Sequence, residues 1–373
     1  MPAFTGSLNV NEIQASIYNM ILGQYIHTNN IANTYDKLLN LFRRDVGLYG
    51  DQILHYATDA YKTLAYDPDS TTQANVLEIH RPPAPKCQAI QIDNARYIAV
   101  TIDDYFSKRA FSTESIFTEY NATLIQWLQG TKNIYLSSLF NTYIGTTETA
   151  EGKQEQTVDL SKIGTSTTAG DEEAANRITA SLVGQKIADL LVELADPIAG
   201  KDFNDYGFYR SYNPEDIVIV WNAAYFNKFR KVDLPTIFHD SGIIDKLDER
   251  YILPDYYFGA VNTASGTVAA SNATIRSLIE TDYTVNKVTT HVFPGMLLPD
   301  GASYTANTTY TNKGDIVCKI MHRESVPVLN GMEGEKVFIN GRNWSENHYL
   351  HFLVNTFEYL KDMPFITVKA VTA

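Results

Sequence analysis

Cysteine is nearly missing from this sequence. Only Cys87 and Cys318 occur in 373 residues, and no Cys-x-x-Cys pair is present, so neither a disulfide framework nor a cysteine-built zinc site is indicated and a reducing compartment is the default. Basic clusters are missing as well. Lys and Arg number 30 against 43 Asp and Glu, a formal net charge of −13, and nowhere do they gather into a phosphate-tracking patch. That balance excludes a repressor or a polymerase accessory, because an acidic surface repels nucleic acid at long range. It leaves open a container wall, along which packaged DNA must slide. No apolar run reaches about 18 residues. The start Met1-Pro2-Ala3-Phe4-Thr5-Gly6 has neither the basic nor the apolar region of a signal peptide, so no membrane insertion or secretion is expected. The Gly-x-x-x-x-Gly-Lys, Gly-x-Ser-x-Gly and His-Glu-x-x-His motifs, which carry defined catalytic mechanisms, do not occur.

What is present suits a folded chain. Hydrophobic residues make up 44%, charged residues 20% and aromatics 12%, with 24 tyrosines, far from the polar, highly charged composition of disorder. The length allows two or three units at ~150 residues each.

Residues 11–65 read as three short helices. Ile13, Ile17, Met20 and Ile21 recur at helical spacing, then Leu38, Leu41 and Phe42, then Ile53, Leu54, Ala57, Tyr61 and Leu64. Helices this short are marginal alone, so their apolar stripes must dock on something larger. After Asp67-Pro68-Asp69 the period changes to two, with strand runs around Leu77 and Ile79, Ile90 and Ile92, and Ile98, Val100 and Ile102. Between the first two runs lies Arg81-Pro82-Pro83-Ala84-Pro85-Lys86. A proline has no N–H to give a ladder, so this segment reads as the stiff tip of a projecting hairpin.

Residues 112–143 form the longest helix candidate, with Phe117, Tyr120, Leu124, Trp127, Leu128, Tyr135 and Leu139 along it and a possible kink at Gly130. Residues 145–170 are small and polar and read as a mobile loop. A second helix follows, with acidic residues Asp171, Glu172 and Glu173 at its start, a stripe from Ile178 to Leu194, and Asp196-Pro197 at its end. Beyond Gly200 the chain turns to short strands: the apolar run Ile217–Trp221 with a helix over 223–232 behind it, then runs at 315–322, 336–339, 348–359 and 365–368. The stretch 265–290 reads as irregular. The fold class is α+β, without an internal repeat.

Isolated signals for chemistry are weak. His239-Asp240-Ser241 holds triad residue types, but a triad is a spatial arrangement and adjacency does not make one. His348 and His351 share a face only on a helix, and the local pattern reads as a strand, which puts them on opposite faces. Asp103 and Asp104 likewise point apart at a strand end. Trp344, in a turn, reads as a packing anchor. Lys86 at the hairpin tip either reaches another subunit or keeps an edge soluble. No catalytic residue, metal ligand or cofactor site is assigned.

The order of elements resembles the major capsid proteins of tailed phages and the related encapsulin shells. The likeness rests on residues 97–106 (YIAVTIDDYF) leading into the long helix, on 216–226 (DIVIVWNAAYF), where a buried strand ends in Asn before a short helix, and on the strand-rich end with 365–369 (FITVK). The composition looks most like small short-tailed podoviruses. The resemblance implies an N-terminal arm over 1–66 and an extended loop over 67–110. A spine helix and peripheral domain would occupy 111–205, an axial domain 206–345, and strands returning to the peripheral domain 346–373.

It implies a virion subunit, assembled in the host cytoplasm, that joins copies of itself as hexamers and pentamers in an icosahedral shell. The shell encloses double-stranded DNA, held non-specifically, with portal, scaffolding or decoration proteins as further partners. Arg81, Pro82, Pro83, Pro85 and Lys86 would make inter-subunit contacts. Some shells of this kind weld subunits through a lysine of the extended loop and a neighbour's asparagine, assisted by a glutamate. Lys86 matches the lysine by position alone and no local motif marks the others, so that chemistry is not carried over. Two other readings stay open: a different virion component of tail or connector, and a cytoplasmic α+β enzyme with a site built from scattered Asp, His and Tyr residues.

Overall fold

Residues 36–45, 50–63, 79–103, 114–147, 153–161, 169–230, 251–263, 266–268, 281–285, 288–292, 310–312, 314–342, 345–355 and 357–371 are described by a computed structural model. In chain order they form α1 (Asp36–Phe42), β1 (Arg43–Asp45), β2 (Gln52–Ala57), β3 (Lys86–Gln91), β4 (Asn94–Asp103), α2 (Glu114–Thr146), β5 (Glu155–Asp159) and α3 (Ala169–Ala195). Then come β6 (Ile217–Asn222), α4 (Ala223–Arg230), β7 (Tyr251–Leu253), β8 (Gly259–Thr263), β9 (Gly266–Val268), β10 (Thr281–Val285), β11 (Val288–Val292) and β12 (Tyr310–Asn312). The chain closes with β13 (Ile316–His322), β14 (Val328–Asn340), β15 (Ser345–Val354) and β16 (Phe365–Val371). Contacts divide the described residues into two units, one within Met1–Asp51, Ile92–Ser138 and Leu329–Thr356, the other within Gln52–Gln91, Leu139–Val328 and Phe357–Ala373.

The first unit is built on a four-stranded sheet in the order β1-β14-β15-β4, antiparallel between β14 and β15 and between β15 and β4. Along β15 the period-two alternation is plain: His348, Leu350, Phe352 and Val354 are buried, and the residues between them face outward. Phe352 packs edge-on against Tyr135 of α2, with ring centroids 6.0 Å apart. Lys132, one turn before, lies over the same ring and pairs with Glu333 opposite. Near the start of β14 the register slips between Asn330 and Glu333, and a Cβ on Gly331 would stand 2.6 Å from that of Leu353, so only glycine fits the bulge.

The second unit carries a five-stranded mixed sheet, β5-β16-β13-β6-β7. Every residue of β6 is buried and so are the first six of β13, as expected of unbroken apolar runs in strands covered on both faces. Ala180, Val183, Ile187, Leu190 and Leu194 of α3 pack in one core with Ile219, Trp221, Ile320, Ile366 and Val368. Asn222 ends β6 and caps α4. Its Oδ1 accepts from the amide of Ala224 at 2.9 Å, while its Nδ2 donates to Asp255 Oδ1 at 2.8 Å and to the Ile316 carbonyl at 2.9 Å. Smaller pairings, β12-β8-β9 and β10-β11, complete the sheets.

Several elements differ from the sequence-based expectation. The apolar run starting at Ile53 is a strand, β2, followed by irregular chain over 58–63, not a helix, and Leu64 lies outside the described residues. Its residues alternate between half-buried and exposed as far as Ala57, and a run this short fits either period until a partner decides. That partner is β3, so the hairpin joins 52–57 to 86–91. Ile79 lies outside any strand, and Leu77 falls outside the described residues, as do residues 11–21. Helix α2 continues through Gly130, because a single glycine costs only about 1 kcal/mol, which a 33-residue helix outweighs. The expected loop at 145–170 contains β5, a polar edge strand that pairs in parallel with β16 and buries only Val158. Three strands, β9 to β11, fall within the supposedly irregular 265–290 region and just past it, where a two-stranded pairing leaves little apolar pattern to read. Helix α3 packs on the sheet of β6, β13 and β16.

Candidate assembly surfaces

The five residues predicted to make inter-subunit contacts lie together at one end of the β2–β3 hairpin. Arg81, Pro82, Pro83 and Pro85 precede the strand and are exposed. Lys86 is its first residue, also exposed, opposite Ala57. The ladder begins directly after the last proline, as the missing N–H groups require. A long hydrogen bond, 3.5 Å, runs to this segment from the Tyr61 hydroxyl to the Arg81 carbonyl.

A surface that sequence reasoning missed lies on the four-stranded sheet. From Met332 onward β14 leaves the core, and Val337, Phe338 and Ile339 are 47, 58 and 74% exposed. Because neighbouring strand residues point to opposite faces, this apolar run offers side chains on both sides of the sheet. On the face away from α2, rings gather across three strands. Phe338 packs edge-on to Tyr349 at 5.7 Å, Tyr97 lies 6.0 Å from Tyr349, and His351 stacks 6.3 Å from Tyr349. An apolar strand end with exposed rings is what a monomer avoids and an assembling subunit uses. The strand length was legible at 336–339; its exposure was not, since an apolar run in sequence reads first as core.

His348 and His351 sit on opposite faces of β15, as the alternation predicts. His348 is buried with its Nδ1 2.9 Å from Glu335 Oε1, and His351 is exposed. Asp103 ends β4, while Asp104, Trp344 and His239 to Ser241 lie outside the described residues. Cys87 is exposed and Cys318 buried, where desolvation pushes its thiol pKa up. Burial likewise raises the phenol pKa of Tyr143 and Tyr212 and lowers the imidazole pKa of His322. Among the described residues no group of three or more His, Cys, Asp or Glu side chains could hold a metal, and no helix is long and apolar enough to cross a membrane. Tyr212 and His322 lie together, with ring centroids 6.4 Å apart.

Comparison with known proteins gives the arrangement its context. A family model for the Phi29-like phage major capsid protein matches residues 5–366. Among solved structures the chain is similar to the capsid structure of Staphylococcus phage Andhra, with 10% identity and a TM-score of 0.58, over 100% of this chain and 88% of that one. It is also similar to a chain in the structure of the head fiber and inner core protein gp22 of native bacteriophage P68, with 11% identity and a TM-score of 0.56, over 93% and 88%. At such identities the likeness is one of fold. No curated protein sequence gives a significant match.

Proposed function

The chain belongs to the Phi29-like phage major capsid protein family, and we propose that it builds the icosahedral head enclosing the double-stranded DNA of its phage. That it is a shell-forming capsid protein follows from the family; the observation that carries this is a match extending over residues 5–366. Copies of the one chain would join as hexamers and pentamers in the virion after assembly in the host cytoplasm, with portal, scaffolding or decoration proteins as further partners. The formal charge of −13 suits a wall that confines DNA without gripping it.

In this reading the exposed residues Arg81, Pro82, Pro83, Pro85 and Lys86 touch a neighbouring subunit, and the subunit acts through its interfaces, without a catalytic residue or cofactor. Residues 1–66 serve as arm and residues 67–110 as extended loop. Residues 111–205, with α2 as the spine helix, form the peripheral domain, residues 206–345 the axial domain, and residues 346–373 the strands that return to the peripheral domain. The packing of α3 on β6 and β13 supports extending the axial domain to include that helix. Expression of the protein, with and without other virion proteins, followed by negative-stain electron microscopy of the large fraction, tests the reading. Closed shells or flat hexamer sheets are expected; rings or tubes would assign it to a tail or connector instead.

A further inference from the structure

We propose that the β2–β3 hairpin is latched to its own subunit by a polar side-chain clamp, and that opening this clamp is a step in shell assembly; the second half rests on the shell-forming reading above.

The hairpin's covered face is only partly apolar. An antiparallel pair with one covered face normally turns apolar residues inward and polar residues outward. Here the register sets Ile53 opposite Ile90, His55 opposite Gln88, and Ala57 opposite Lys86 on the inward face, so its middle rung is polar. The outward face carries Gln52 with Gln91, Leu54 with Ala89, and Tyr56 with Cys87, all exposed. Its apolar centre, Leu54 and Tyr56, is 46 and 59% exposed. Close apolar burial on the inward side is confined to Ile90 and Ala57, on either side of the polar rung.

What fixes the hairpin in place is a set of directed hydrogen bonds. His55 Nε2 lies 2.8 Å from Asp362 Oδ1. Gln88 donates from Nε2 to the Tyr359 carbonyl at 3.0 Å, and its Oε1 accepts from the Lys361 amide at 3.1 Å. Just past β2, Asp59 Oδ1 accepts from the Tyr209 amide at 2.9 Å. The receiving side is held independently of the hairpin. The Asp362 side chain is 4% exposed with its Oδ2 3.6 Å from Arg210, and its carbonyl accepts from the Tyr212 hydroxyl at 2.7 Å. A hydrogen-bonded contact of this kind is specific in direction, yet each bond exchanges for water at small net cost, because the freed groups are solvated once the hairpin lifts. A latch requires that combination; a permanent core contact would bury the apolar face instead.

The experiment compares wild type with the double variant His55→Ala, Gln88→Ala, in amide hydrogen exchange of the unassembled subunit and in the lag of shell formation followed by light scattering. The clamp predicts faster exchange confined to residues 52–57 and 86–91, by about fivefold for each bond removed, together with a shortened assembly lag. Gln88→Ala alone leaves His55 and Arg210 beside Asp362 and gives the same readings, with a smaller change, if the double variant does not fold. Faster exchange with an unchanged or longer lag would overturn the proposal, as would equal protection of the hairpin in subunits and finished shells. A wild-type protein that forms no shell under any condition would instead overturn the functional reading beneath it.

Discussion

Lys319, fully buried in the middle of β13, donates its ammonium to the carbonyl of Thr147 and to the hydroxyl of Thr367, each at 2.7 Å. The first partner follows α2 and the second lies on β16, so one side chain ties the end of the long helix to the five-stranded sheet, with the Phe365 ring 5.7 Å from its Nζ. Lys319→Met keeps most of the volume and loses the two bonds. It is expected to cost about 1–3 kcal/mol, the penalty for leaving buried acceptors unpaired. Lys319→Ala adds a cavity and should cost more. Urea unfolding of the subunit measures both, and equal stability of wild type and Lys319→Met would show that the bonds contribute nothing net.

Two glycines of the same helix should respond with opposite sign. A Cβ at Gly130 would meet nothing within 4 Å, so Gly130→Ala should stabilise by about 1 kcal/mol through helix propensity alone. A Cβ at Gly145 would stand 2.1 Å from the Tyr257 carbonyl oxygen. Gly145→Ala must therefore push backbone aside and should destabilise by about 1–3 kcal/mol or more. Thermal unfolding of the two variants side by side decides the matter.

Acid should loosen the first unit through Glu333. Burial pushes the pKa of this carboxyl up, but hydrogen bonds from Lys132 and Gln129 outweigh it and leave the pKa below its ordinary value of 4.5. A carboxylate with a depressed folded-state pKa contributes stability that is fully present above the unfolded value and lost as pH falls through the folded one. Glu333→Gln should therefore lower stability near neutrality and flatten its decline below about pH 4.5. Chemical denaturation repeated across that range checks the sign.

The exposed end of β14 should matter to assembly and not to folding. Val337 and Ile339 are already largely in solvent, so replacing both with serine should change subunit stability by no more than about 0.5 kcal/mol at each site. Assembly yield should fall sharply. A double variant that assembles as well as wild type would remove this strand end from the interface.

The parts legible in the sequence were those whose burial is continuous or strictly periodic. Ile217–Trp221, wholly apolar, is a buried strand followed by an Asn-capped helix, and the alternation around His348 and His351 places those residues on opposite faces, as observed. The long helix was legible because its apolar residues recur over many turns. Strands that earn their structure from a distant partner were not: β5 has a single buried side chain and depends on β16, 212 positions away in the chain by its register of Glu155 with Thr367. The hairpin misled for a related reason, since it puts Leu54 and Tyr56 outward and a polar rung of His55 and Gln88 inward, and no local rule anticipates that. Of the candidate contact residues, the prolines at 82, 83 and 85 were readable from backbone chemistry alone. The exposed Val337–Ile339 run was not, because only the fold shows that α2 leaves it uncovered.

Electron microscopy of the assembled fraction tests the central claim most directly. The account predicts closed icosahedral shells or hexamer sheets formed by this chain, alone or with its virion partners. A monodisperse monomer or dimer that stays unassembled when those partners are supplied would contradict it.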